Sequence, residues 1–237
     1  MSDLIYAITL AALAGAAIPF GAWLAGFDRI LPGWIRNETN HWVMAFGAGA
    51  LLSAVALVLI PEGLDRVTGA RALIPFLLGA IAALVVDVAL SRRGGSKSQF
   101  MAMLLDFIPE TIALGAVLTA EPALALLLAG LIGAQNLPEG FNADRELAET
   151  SAMLRSKRLG LFLLLVPLGP IAALIGLTLL ANAPVILGWL MLFSAGGILY
   201  LMYQDIAPQI PLSRRWTPPF GAILGFALGL LGHILTT

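Results

Sequence analysis

Two short stretches decide how this chain is read: Leu105-Asp106-Phe107-Ile108-Pro109-Glu110-Thr111 and Ala134-Gln135-Asn136-Leu137-Pro138-Glu139-Gly140. Aligned on Pro-Glu they match at a constant offset of 29 residues, Asp106 over Gln135 and Glu110 over Glu139. Each places two oxygen-bearing side chains at i and i+4, one turn apart on one helix face. Two such helices packed antiparallel would bring Asp106, Glu110, Gln135 and Glu139 to one point. That is the donor set of a cation site.

The surrounding composition puts this point inside a membrane. The chain is 59% hydrophobic and 11% charged, against about 45–50% and 25% for a soluble domain. Its mean hydropathy is +0.94. An all-α polytopic membrane protein is expected, with residues 1–237 as a single transmembrane domain in the lipid bilayer. A net charge of −1 gives nucleic acid and anionic surfaces no electrostatic hold. The lack of cysteine excludes disulfides and thiolate metal ligands. Met1-Ser2-Asp3 has no basic region and leads into an apolar run too long for a signal peptide, so residues 4–26 read as a retained span.

A helix needs about 20 largely apolar residues to cross the hydrocarbon. Eight segments qualify: 4–26, 42–62, 72–91, 99–120, 122–142, 159–181, 184–204 and 218–236. Only Glu121-Pro122 separates the fourth from the fifth, and Asn182-Ala183 the sixth from the seventh, so both pairs read as tight hairpins. The connection 143–158 is rich in charge and reads as a solvated loop or a helical extension. Eleven basic residues fall in the loops after the odd spans: Arg29, Arg36, Arg92, Arg93, Lys97, Arg145, Arg155, Lys157, Arg158, Arg214 and Arg215. Only Arg66 and Arg71 fall on the other side. The positive-inside rule then makes the odd loops cytoplasmic and puts both termini outside. With a rise of 1.5 Å per residue, the two polar words lie at similar depth in the inner half of the membrane.

A carboxylate at that depth costs roughly 2.5–3.5 kcal/mol even on an insertion scale. Asp106, Glu110 and Glu139 together demand a proton, a cation or water. Pro109 and Pro138 each remove a backbone hydrogen bond and crowd the carbonyl four residues back, at Leu105 and Ala134. Carbonyls freed in this way are tolerated at membrane depth where they face protein or a wet cavity, and are themselves oxygen ligands. Hard oxygen donors suit Mg²⁺, Mn²⁺ and Fe²⁺, and Zn²⁺ also accepts carboxylates.

Other polar residues carry weaker signals. Glu62, in Ile60-Pro61-Glu62-Gly63, is either a gate on an ion pathway or a solvated helix end. Asp87 stands within reach of Arg92. Asp205 ends the seventh span beside Gln204, as an aid to release or an exposed loop carboxylate. His41 and His233 fall at opposite surfaces. Gly221, Gly225 and Gly229 form a small-residue stripe, expected either inside the bundle or at a homodimer seam.

At these residues the chain resembles the ZIP family of divalent metal transporters. That family has eight spans with both ends outside, a His-Asn-x-Pro-Glu-Gly word in the fourth span and a polar-x-x-x-Glu word in the fifth. Leu59-Ile60-Pro61-Glu62-Gly63, Pro167-Leu168-Gly169 and Gly196-Gly197-Ile198-Leu199-Tyr200 also sit where family-like words would. Asp106 replaces the family's fourth-span histidine and Phe107 the following asparagine. Asn136 stands where members often have an acidic or histidine ligand, and Val166 where a glutamate often precedes Pro-Leu-Gly. The resemblance implies one surviving metal site, Asp106, Glu110, Gln135 and Glu139, beside a second that has lost two ligands and weakened a third. It also implies inward transport of zinc, manganese or iron as substrate, across a cytoplasmic membrane and without a cofactor. A non-transporting metal sensor or scaffold is the alternative. An intramembrane enzyme is disfavoured, since neither a His-Glu-x-x-His word nor a serine-nucleophile motif occurs.

Overall fold

The structure, a computed structural model, describes residues 2–27, 33–91, 98–206 and 216–236, and among these there is no strand. Ten α-helices follow in order: α1 (Ser2–Ala25), α2 (Gly33–Ala54), α3 (Ile60–Arg66), α4 (Leu73–Ser91), α5 (Ser98–Val117), α6 (Pro122–Thr150), α7 (Arg155–Leu163), α8 (Leu168–Ile175), α9 (Pro184–Leu201) and α10 (Thr217–Thr236). Seven helical stretches among the described residues are long and apolar enough to cross a membrane: Asp3–Ala25, Thr39–Arg66, Gly69–Ala89, Pro122–Thr150, Arg155–Leu180, Pro184–Gln204 and Thr217–Thr236. This is a multi-pass integral membrane protein. The 20-residue α5 packs among these helices.

Several spans depart from simple rods for local reasons. α2 passes into α3 through a π-helical turn, Val55–Leu59, in which the Ile60 N–H reaches back to the Val55 carbonyl. The widened turn lies directly before Pro61, whose ring would otherwise crowd the carbonyl of Leu57. The segment expected as one span over 159–181 is broken: α7 ends at Leu163, residues 164–167 turn, and α8 begins after Pro167. Proline at 167 and again at 170 removes two amide donors, which disfavours an unbroken α-helix there. The connection after the fifth span is largely helical, because α6 continues to Thr150.

Reciprocal glycine contacts organise the bundle. A Cβ at Gly21 would lie 2.0 Å from the Leu137 carbonyl oxygen, and one at Gly140 would lie 2.1 Å from that of Ile18. A Cβ at Gly49 would lie 1.9 Å from the Ala222 carbonyl oxygen and one at Gly225 2.0 Å from that of Phe46. A Cβ at Gly79 or Gly196 would meet the carbonyl oxygen of Phe193 or Phe76, and one at Gly115 or Gly176 that of Ala173 or Ile112, each at 1.9 Å. In every case the carbonyl belongs to the residue three before the partner glycine. Each crossing therefore has local two-fold symmetry, with backbones close enough for Cα–H···O contact. The stripe Gly221, Gly225 and Gly229 is accounted for here: it packs on α2, inside the bundle.

The crossings join α1 to α6, α2 to α10, α4 to α9 and α5 to α8. Mapping α1, α2 and α4 onto α8, α9 and α10, and exchanging α5 with α6, turns each crossing into another. Two helix groups result, α1, α5, α6, α7 and α8 in one and α2, α3, α4, α9 and α10 in the other. Their seam runs along α2 against α6 and α5 against α9.

Candidate metal centre

The α5–α6 hairpin carries both polar words. Its turn spans residues 118–121, and Pro122 opens α6 at a position where a missing N–H costs nothing. Both helices run on through Pro109 and Pro138. All four expected ligands point inward: Glu110 and Gln135 are fully buried, and Asp106 and Glu139 are 6% and 7% exposed.

The antiparallel register crosses the two words. Gln135 Nε2 donates to Glu110 Oε2, while the Asp106 and Glu139 carboxyls lie within hydrogen-bonding reach of each other. Residues that align in sequence thus stand diagonally in space, and the cross-helix pairs are acid to amide and acid to acid. The Phe107 N–H donates to Asp106 Oδ1 at 2.8 Å, and the Thr111 hydroxyl donates to the Phe107 carbonyl at 2.6 Å.

Three oxygens of these four side chains have no hydrogen-bond partner among the described residues: Glu110 Oε1, Gln135 Oε1 and Glu139 Oε2. An ionised carboxylate oxygen and an amide carbonyl oxygen only accept. Each buried acceptor left unmatched costs about 1–3 kcal/mol. A carboxyl pair in hydrogen-bonding reach also needs a proton or a cation between its oxygens. The chemistry missing from this layer is positive charge or a donor. No group of three or more His, Cys, Asp and Glu side chains among the described residues is gathered tightly enough to hold a metal ion. The four side chains pair across the helices and do not turn to a common centre.

The remaining expected residues scatter. Asn136, one position on from Gln135, faces α1: its amide donates to the Ala14 carbonyl at 3.0 Å, and its Oδ1 has no partner. Phe107 is fully buried, and its ring tip lies close to Gly15 and Gly169, so an apolar plug fills the space between α1 and α8. Glu62 is not a freely solvated helix end, since it is ion-paired with Arg66. Asp87 accepts a hydrogen bond from Tyr200 at 2.9 Å, whereas its expected neighbour Arg92 lies outside the described residues, as does the side chain of Asp205. Six of the thirteen basic residues behind the orientation argument, Arg29, Arg92, Arg93, Lys97, Arg214 and Arg215, lie outside them too.

Two ionic features have no sequence signal. Arg158 of α7 binds the Asp144 carboxylate through Nε at 2.7 Å and Nη2 at 3.3 Å, both side chains being buried. Arg66 reaches Glu121 at 2.6 Å across 55 residues of sequence. Long-range pairs of this kind follow from helix packing, and no local spacing announces them.

No protein-family model and no curated protein matches this chain.

Proposed function

We propose that the chain is a divalent metal ion transporter, an eight-span protein with both termini outside. It moves a transition-metal cation (zinc, manganese or iron) inward across a cytoplasmic membrane. The ion is cargo, held in passage by Asp106, Glu110, Gln135 and Glu139. One observation carries the reading: three buried acceptor oxygens without partners, on one hairpin at one depth, beside a facing pair of carboxyls. A cation passing through this layer, with the side chains turned toward it, would supply the positive charge these oxygens lack, and intramembrane carboxylates at such cost mark ion pathways.

Two further features agree. The symmetric crossings match an inverted repeat, an architecture in which substrate sites lie near the midplane at the repeat interface. The polar face of α6 continues past Glu139 through Asn142 and Glu146, half-buried, to exposed Glu149, a graded path from the site to the helix end. Resemblance of the polar words to the ZIP family supplies the substrate class and the inward direction.

The pairing of the side chains with one another favours a second reading, a non-transporting sensor or scaffold in which the polar layer binds helices together. Proteoliposome uptake separates the two. Wild type is run with Zn²⁺, Mn²⁺, Fe²⁺, Cd²⁺ and Mg²⁺ beside Glu110→Ala and Glu139→Ala. Saturable uptake of at least one transition ion is expected, falling to the empty-liposome background in both variants. No uptake by well-folded wild type would sink the transporter reading.

A further inference from the structure

Arg66 stands apart from the polar layer and touches both helix groups. Its stem belongs to the group of α2, α3, α4, α9 and α10. A Cβ at Gly188 of α9 would meet the Arg66 Cβ at 2.7 Å, and a Cβ at Gly63 or Gly188 would lie 3.4 or 3.2 Å from the other's carbonyl oxygen. The backbone beneath Arg66 is thereby clamped to α9. Its guanidinium forks: Nη1 pairs with Glu62 one turn back on its own helix, and Nη2 pairs with Glu121 at 2.6 Å. Glu121 sits in the turn of the α5–α6 hairpin, in the opposite group. The side chain of Arg66 is 14% exposed and that of Glu121 41%, so the contact is open to water on the Glu121 side and is a modest, charge-assisted tie.

We propose that Arg66 is a latch, holding the tip of the site-bearing hairpin against the other helix group through Glu121. Glu62 orients the guanidinium from the same helix. Releasing the Arg66–Glu121 contact frees the hairpin to shift along the α2–α6 and α5–α9 seam, carrying Asp106, Glu110, Gln135 and Glu139 with it. The latch bears on transport only through the function proposed above, and its test requires no cation.

The chain has no cysteine, so spin labels can be placed singly. Ala70→Cys, beside α3, and Ala123→Cys, at the start of α6, are both exposed and report the distance across the latch by double electron–electron resonance in lipid nanodiscs. Glu121→Gln removes the cross-group partner, Glu121→Lys makes it repulsive, and Glu62→Gln removes only the same-helix partner. Wild type and Glu62→Gln should give one and the same narrow distribution. Glu121→Gln should shift the ratio of a second, longer population by about 2- to 5-fold, and Glu121→Lys by at least as much. If the two Glu121 variants overlay on wild type, or if Glu62→Gln matches Glu121→Gln, the latch is overturned. Neither outcome depends on uptake, so failure of the latch and failure of the transporter reading remain separate results.

Discussion

Replacing Gly140 with alanine tests the architecture that holds the candidate site. In a helix with room for the methyl, Gly→Ala stabilises by about 0.5–1 kcal/mol. Gly130 of the same helix has that room, with nothing within 4 Å of its built Cβ. At Gly140 the new Cβ would lie 2.1 Å from the Ile18 carbonyl oxygen, more than 1 Å short of an ordinary C···O contact at ~3.3 Å. The atom it meets is backbone and cannot rotate away, so α1 must retreat from α6 by roughly 1 Å. A gap of that size forfeits about a quarter to a half of each dispersion well along the crossing, and overpacking of this kind costs about 1–3 kcal/mol. Gly130→Ala should therefore leave the unfolding midpoint unchanged or raised, while Gly140→Ala lowers it by roughly 2–10 °C for a chain of this length. Intrinsic fluorescence of the five tryptophans in detergent reports both. The reciprocal variant Gly21→Ala should cost a similar amount. The double variant should cost less than the sum of the two, since one retreat accommodates both methyls. Equal midpoints for Gly130→Ala and Gly140→Ala, or strict additivity of Gly21→Ala with Gly140→Ala, would refute the reasoning.

Two more outcomes follow from buried polar groups. Asp144→Asn or Arg158→Met alone leaves an unmatched buried charge and should destabilise by about 3–5 kcal/mol. Replacing both with apolar residues of similar size should cost far less, and urea unfolding in mixed micelles measures the difference. Gln135→Leu strips Glu110 of its amide donor, leaving Glu110 Oε2 unmatched in place of the Gln135 Oε1 that is removed. A loss of about 0.5–1.5 kcal/mol, the worth of the bond itself, is expected without added metal. Unchanged stability there would mean that the Gln135–Glu110 contact does not hold the hairpin together.

Composition and local spacing carried much of this protein. The apolar runs had to become membrane helices, because only an internally hydrogen-bonded backbone is tolerated in hydrocarbon. The i, i+4 spacing of Asp106 with Glu110, and of Gln135 with Glu139, put each pair on one buried face. The two-residue break at Glu121-Pro122 made their helices neighbours. Which acid meets which partner was not readable from the alignment of the two words. Antiparallel packing sets Asp106 against Glu139 and Glu110 against Gln135, the diagonal of the sequence match. Asn136 and Phe107, adjacent to ligand candidates in sequence, turn about 100° away and face α1 and α8 instead. The glycines were visible as stripes, yet only the tertiary structure pairs each with a carbonyl three residues before its counterpart and sorts the helices into two groups. Arg66–Glu121 and Asp144–Arg158 belong to the same category. Periodicity tells a helix which face to bury; the partner that face meets is chosen by shape and charge on helices far away in the chain.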